Sequence, residues 1–107
     1  MKFYVQGSAA EPYFVQISKN GTNLNATCDC PAGQNGQYCK HRVNLLKGLN
    51  TGVVGGDLDQ ISEIPSMIKG TDVERAMHEL STALDEEERA KKNASNKKKA
   101  LSAAMLR

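Results

Sequence analysis

The chain has 107 residues, only 5% of them aromatic and none tryptophan, with a formal net charge of +2. A chain of this length normally forms one small domain, and its low aromatic content predicts a thin hydrophobic core. The apolar run at residues 3–5 is far too short for a signal peptide, and no stretch approaches a membrane span. We therefore expect a soluble, intracellular protein, placed in the cytoplasm, with no membrane partner.

The charges are unevenly distributed along the chain. Residues 1–50 carry a net charge of +3, residues 51–70 carry −2, residues 71–90 carry −5 and residues 91–107 carry +6. Runs of like charge usually belong to a solvated helix or a frayed tail. An acidic block therefore separates a mildly basic first half from a basic tail.

The first half is predicted to form short strands. Residues 2–6 alternate in polarity, and residues 13–18 and 23–28 flank Asn20-Gly21, a strong signal for a two-residue hairpin turn. The predicted register sets Lys19 opposite Thr22. The facing pairs on the apolar side are then Ile17/Leu24, Val15/Ala26 and Tyr13/Cys28.

The second half is predicted to be helical. An apolar row indicates a helix from residue 40 to about 50, followed by a glycine-rich linker or turn at 51–56. Asp57 and Thr71 each resemble the start of a capping box, which predicts a short helix to about residue 63, ended by Pro65, and a longer helix from about 72 to 91. The second helix has an apolar stripe that we expect to pack on the domain, because its continuation at Glu87 and Lys91 is charged and does not suit a long zipper.

These elements predict an α+β fold, in which a small antiparallel sheet and a helix close around a metal. The predicted organisation is a zinc-binding module over residues 1–56, a helical region over 57–91, and a basic tail, frayed or disordered, over 92–107.

All three cysteines and one of the two histidines fall within fourteen consecutive residues, as Cys28, Cys30, Cys39 and His41. Three thiolates and one imidazole are a standard ligand set for structural zinc. Residues i and i+2 share a face in a strand but lie about 200° apart on a helix. Cys28 and Cys30 can therefore converge from a strand end, whereas Cys39 must precede the helix and His41 must lie in its first turn.

Other uses of these residues fit less well. A disulfide would leave one thiol over and needs an oxidising compartment. A catalytic cysteine would need an orienting group beyond the nearby histidine and would leave two cysteines unexplained. Buried inert cysteines rarely show this spacing. We therefore predict one structural zinc ion.

The segment TCDCPAGQNGQYCKHRVNLL resembles the SWIM zinc finger, and the likeness covers about residues 13–50. The resemblance implies a strand-strand-helix module that binds DNA or proteins, with Cys28, Cys30, Cys39 and His41 as zinc ligands and no catalytic activity. Arg42-Val43 departs from the apolar residues that usually follow the histidine in this family.

Two classes of function remain open. The first is a nucleic-acid-binding or accessory adaptor module that contacts DNA or RNA, with Lys19, Lys40, Arg42 and Lys47 as candidate contacts. The second is a protein-interaction subunit with a purely structural zinc, which docks through its helical C-terminal region. We do not expect an enzyme or a small-molecule substrate, because four protein ligands leave zinc no open position.

Overall fold

The computed structural model describes residues 1–106 and divides the chain into two compact units. The first runs from Met1 to Glu74, and the second begins at Arg75. The first unit contains an antiparallel sheet with short helices, and the second consists of most of one long helix. The predicted α+β fold class is therefore confirmed.

The sheet has four antiparallel strands in the order β3-β2-β1-β4. They are β1 Lys2–Val5, β2 Tyr13–Asn20, β3 Asn23–Cys28 and β4 Val53–Gly56. The predicted hairpin forms β2 and β3, and the strand predicted at the N-terminus pairs with β2 as β1. The hairpin of the two longest strands thus ends at the cysteine cluster.

The predicted hairpin register was wrong by two residues. Asn20 pairs with Asn23 and Val15 with Cys28, so Gly21 and Thr22 form the turn. A turn centred on Asn20-Gly21 would need a positive φ at both residues, whereas Gly21 has φ +64° and no non-glycine residue in the described chain has a positive φ. Glycine at the first central position is the pattern of a type II′ turn. A shift of two residues leaves each side chain on its predicted face.

The segment at 51–56 does not end the module as a linker. Its residues Val53–Gly56 form β4, which pairs antiparallel with β1 at the edge of the sheet, with Phe3 opposite Gly56. Backbone pairing needs no particular side chain, so the glycine-rich sequence could not reveal this strand.

One face of the sheet is buried. Helix α2, Lys40–Leu46, contributes to the core from the predicted position, although it ends four residues before the predicted end near residue 50. The core consists mainly of aliphatic side chains from the sheet, α2 and the segment that follows β4: Phe3, Val5, Val15, Ile17, Leu45, Leu46, Ile61, Ile64 and Ile68. Phe3 is the only aromatic side chain in this set, which agrees with the thin core predicted from composition.

The segment between β4 and the long helix belongs to the first unit. It forms a 3₁₀ helix over Leu58–Glu63 and helix α3 over Ile64–Met67. Pro65 was expected to end a helix, but it occupies the first turn of α3, where a missing N–H costs nothing. The Asp57 carboxylate does not cap the 3₁₀ helix; it accepts a hydrogen bond of 2.8 Å from the Lys2 amide and so fixes the edge of the sheet.

Helix α4 spans Asp72–Met105, well beyond the predicted end near residue 91. The Glu74 amide donates to Thr71 Oγ1 at 3.3 Å, as the predicted cap requires, whereas the Glu74 carboxylate accepts from the Gly70 amide. No residue of α4 is buried, so the structure does not show the packed face that its apolar stripe predicted. Among residues 1–106, no helix is both long enough and apolar enough to cross a membrane.

Candidate metal centre

The end of one strand and the starts of two helices meet at the cysteine cluster. Cys28 is the last residue of β3, and Cys30 is the N-cap of α1, a single helical turn over Pro31–Gln34. Cys39 is the extended N-cap of α2, and His41 lies in the first turn of that helix. Cys28, Cys39 and His41 thus lie where the side-chain periodicities of strand and helix predicted, whereas Cys30 lies two residues beyond the strand and caps a helical turn that was not predicted.

The four donor atoms form a compact group in which all pairs lie within 4.8 Å of one another. Cys30 Sγ lies 3.4 Å from Cys39 Sγ, and His41 Nδ1 lies 3.4 Å from Cys39 Sγ and 3.9 Å from Cys28 Sγ. Ligands at zinc bond lengths of about 2.0–2.3 Å on a tetrahedron would be about 3.5–3.8 Å apart. All three cysteines are free thiols, so no disulfide accounts for their approach.

The short helix α1 folds the chain tightly after the first ligand pair. The Gly33 amide donates a hydrogen bond to Cys30 Sγ at 3.3 Å and so provides the sulfur with a polar neighbour. A Cβ atom on Gly33 would clash with the Cys28 carbonyl oxygen, so only glycine allows this approach of the two backbone segments. The ligand loop is therefore held against the end of β3 by its own backbone.

Neighbouring side chains fix the second ligand pair. The Arg42 guanidinium donates to the carbonyl oxygens of Ala26 at 3.2 Å and Gln37 at 2.6 Å, which ties α2 to β3 and to the ligand loop. The Tyr13 ring packs against the His41 imidazole with a centroid distance of 5.1 Å. Groups around a metal site that orient its ligands typically contribute about 10- to 100-fold to metal affinity.

Two of the three thiols have a pKa far from the ordinary value. Burial raises the pKa of Cys28 to about 12. Burial also disfavours the Cys39 thiolate, but hydrogen bonds from the Arg42 amide, Cys30 and His41 outweigh it and lower the pKa of Cys39 to about 6. Burial thus holds a proton on Cys28 while its neighbour Cys39 favours the thiolate, and a dication would stabilise both thiolates by replacing that proton.

The model of the SWIM zinc finger family matches residues 13–47. Residues 13–47 are thus similar to a SWIM zinc finger. This match covers 35 of the 107 residues and contains all four clustered donors. No curated protein and no solved structure matches the chain.

The residues present fit a structural zinc ion. The finger supplies three sulfurs and one imidazole nitrogen at tetrahedral spacing, and all three cysteines are at least 94% buried, with exposures of 3–6%. Cys28, Cys30, Cys39 and His41 would hold the ion, which would join the sheet to α1 and α2. The predicted cofactor, one structural zinc, is therefore confirmed.

The four basic residues named as candidate nucleic-acid contacts lie apart. Arg42 is committed to the two carbonyl contacts, and Lys19 lies on the strand end next to the hairpin turn, where it pairs with Leu24. Lys40 lines a cavity of about 560 Å³ beside the ligands, and Lys47 is the exposed C-cap of α2. Their roles as contacts stay a prediction.

Sequence reasoning missed an aromatic pair on the other face of the sheet. Tyr4 and Phe14 face each other across β1 and β2, with ring centroids 5.4 Å apart. Strand alternation in the sequence puts the Tyr4 side chain on the opposite face from Phe3 and Val5. Its pairing with Phe14, however, depends on the register between β1 and β2, which the sequence did not reveal. The available signal was the alternation of faces along β2, which puts Phe14 on the opposite face from Tyr13 and Val15.

Proposed function

We propose that this protein is a zinc-stabilised, non-catalytic module that binds single-stranded nucleic acid on the outer face of its sheet. The observation that carries this proposal is the exposed Tyr4–Phe14 pair on the two central strands. Tyr4 is 46% exposed, and Phe14 is half-buried beside it. Aromatic side chains on an open sheet can stack on unpaired bases, as they do in other four-stranded RNA-binding domains.

The surroundings of the aromatic pair suit such a ligand. The outward-facing positions on β2 and β3 near the pair carry exposed amide and hydroxyl side chains that could hydrogen-bond to base edges: Gln16, Ser18, Asn25 and Thr27. Lys2 is the lysine on the outward-facing strand positions, because Lys19 shares the inner side of β2 with Val15 and Ile17, and the strands contain no acidic residue. The carboxylates of Asp57 and Asp29 lie beside this face, where they accept hydrogen bonds from the Lys2 and Phe14 amides. A phosphate backbone would therefore meet one lysine and two nearby carboxylates, so stacking of bases on the aromatic pair would supply most of the affinity.

Zinc has a structural role in this proposal. Four protein ligands leave the ion no open position for water or substrate, so we propose that the protein is not an enzyme. We also propose an intracellular location, because a site with three cysteine ligands needs reduced thiols.

The proposal is tested by fluorescence anisotropy with labelled single-stranded RNA and DNA and with duplex of the same sequence, at two salt concentrations. We expect single strands to bind more tightly than duplex. The log-log salt slope should be no steeper than about −0.7, since Lys2 would neutralise about one phosphate of a single strand.

Substitutions then locate the contact surface. Tyr4→Ala and Phe14→Ala should each weaken binding about tenfold or more, because a base stacked on an aromatic ring is worth about 1–3 kcal/mol. Tyr38→Ala is the matched control, since Tyr38 is an exposed tyrosine outside the sheet. Zinc content and circular dichroism should be unchanged in all three variants.

Two outcomes would reject this surface. Binding that is absent even at low salt would remove the nucleic-acid function, and binding that survives both aromatic substitutions would remove the sheet as its location. If Lys40→Glu and Lys47→Glu abolished binding instead, the contact would lie on α2, as those two candidates predict.

The second candidate function is a protein-interaction subunit that docks through its helical region. The observation that favours it is the series of exposed leucines on α4: Leu80, Leu84 and Leu101. Protein and nucleic-acid contacts would then use different parts of the chain.

A further inference from the structure

Helix α4 divides into two halves of opposite charge. Residues 72–88 carry seven acidic residues and one basic residue, for a net charge of −6. Residues 89–105 carry six basic residues and no acidic residue, for a net charge of +6. The change of sign falls at the midpoint of the helix, where Glu88 is followed by Arg89.

Interactions within one helix do not explain this division. The helix dipole favours acidic residues only in the first turn and basic residues only in the last, whereas Asp85, Glu86, Glu87 and Glu88 lie at the centre. One ion pair joins the two signs in the described helix, from Lys91 Nζ to Glu87 Oε1 at 3.4 Å. Both side chains are more than half exposed, so this contact contributes little.

One side of α4 carries a continuous seam at alternating spacings of three and four residues. Leu80, Leu84 and Leu101 are exposed on it, and Met77 is half-buried. This spacing keeps side chains on one side of a helix and is the pattern by which two helices pair. The seam comprises Met77, Leu80, Leu84, Glu87, Lys91, Ala94, Lys98 and Leu101.

Whether two copies of this seam can pair depends on the relative direction of the two helices. In a parallel pair in register, Glu87 would face Glu87 and Lys91 would face Lys91, which places like charges together. In an antiparallel pair centred on Arg89, each Glu87 would face the Lys91 of the other copy.

The remaining layers of the antiparallel pair also match. Leu84 would face Ala94, Leu80 would face the aliphatic stem of Lys98, and Met77 would face Leu101. The acidic half of each helix would lie along the basic half of the other, so charges would attract along the whole length.

We propose that α4 is a self-association surface whose partner is the antiparallel α4 of a second copy of this chain. The polar centre of the seam sets the direction and register, and the apolar layers on either side supply the burial. The charged positions that argue against a parallel zipper thus specify an antiparallel one. This proposal is independent of nucleic-acid binding.

The first measurement is the mass of the intact zinc-loaded protein by sedimentation equilibrium across micromolar to millimolar concentrations. We expect a reversible equilibrium between one and two chains of 11.6 kDa. High salt should weaken the dimer, because its charged contacts are screened. A monomer at every concentration would overturn the proposal.

Charge reversals test the direction of pairing. Glu87→Lys alone and Lys91→Glu alone each place like charges opposite one another in both central layers, so each should weaken dimerisation at least about tenfold. The double variant Glu87→Lys/Lys91→Glu restores both layers and should dimerise like the original chain. Mixing the two single variants should give a heterodimer tighter than either homodimer.

Glu86→Lys is the matched control, because it makes the same change in charge at a position off the seam. It should weaken the dimer less than Glu87→Lys does. If the two single reversals leave dimerisation unchanged, the dimer is parallel or uses another surface, and either result would reject the antiparallel seam. Circular dichroism of each variant separates loss of pairing from loss of helix.

Discussion

The two regions of this protein obtain their order in different ways. The first unit buries an apolar core and the three cysteines of the metal centre within 74 residues, with His41 half-buried beside them. In contrast, α4 has no buried residue along its 34 positions and relies on backbone hydrogen bonds and helix-forming side chains. The comparison teaches that the short elements of the first unit depend on contacts between distant residues, whereas α4 depends on contacts within a single helix.

Zinc removal should separate the two regions most strongly. Structural zinc contributes about 10–16 kcal/mol in small fingers, as much as the whole stability of many domains. We expect excess chelator to disorder residues 13–47 while the α4 residues retain helical chemical shifts. Residue-resolved NMR during chelation and zinc return measures both regions at once. A β2–β3 hairpin that remains folded without metal would contradict this expectation.

Loss of a single ligand should have a smaller but still large effect. Cys28→Ser replaces a buried sulfur at the end of β3 with a weaker zinc ligand, and we expect zinc affinity to fall more than about 100-fold, beyond the 10- to 100-fold typical of outer-shell changes. Competition with a chromophoric chelator measures this affinity. Tyr38→Ser, at an exposed position beside Cys39, serves as the control and should retain full affinity. Unchanged affinity in the Cys28 variant would remove it from the ligand set.

Truncation of Ile64 tests whether α3 is part of the first unit's stability. Ile64 is fully buried, so Ile64→Ala should destabilise the zinc-loaded unit by about 2–5 kcal/mol through lost burial and a cavity. Denaturant unfolding followed by a probe in the first unit gives the difference. Leu58→Ala, at a half-exposed site in the preceding 3₁₀ helix, should cost far less. Equal effects would mean that burial in this segment does not govern stability.

The pH dependence of zinc binding should show the competition between zinc and protons. Cys28 is protonated at neutral pH in the folded metal-free protein, where its pKa is raised to about 12, and also in the unfolded chain, where a thiol pKa is about 8.5. Zinc must displace that proton, so affinity should fall at least about tenfold for each unit that pH decreases from 8 to 6.

Below about pH 6 the dependence should become steeper. The pKa of Cys39 is lowered to about 6, so its thiolate also takes up a proton there and adds to the competition. Zinc titrations at several pH values, with buffers of different ionisation enthalpy, count the protons released. An affinity independent of pH would contradict thiolate ligation.

The sequence by itself determined the metal centre. Ligand type and spacing required Cys28 at a strand end, Cys39 before a helix and His41 in its first turn, and the structure places them there. Cys30, expected at the same strand end, lies two residues beyond it as the N-cap of α1. This was predictable because each constraint is local: side chains alternate in a strand and rotate by a fixed angle in a helix. The fold class followed from the same periodicities.

The tertiary structure alone decided how these pieces pair. β4 forms because the glycine-rich backbone at 53–56 pairs with the open edge of β1. The hairpin turn is centred on Gly21 and Thr22, one residue later than predicted, because Gly21 is the turn residue that has a positive φ. Tyr4 meets Phe14 only through the register of β1 with β2. Pairing between distant strands depends on backbone groups and loop closure that no short window of sequence encodes, so it could not be predicted from the residues alone.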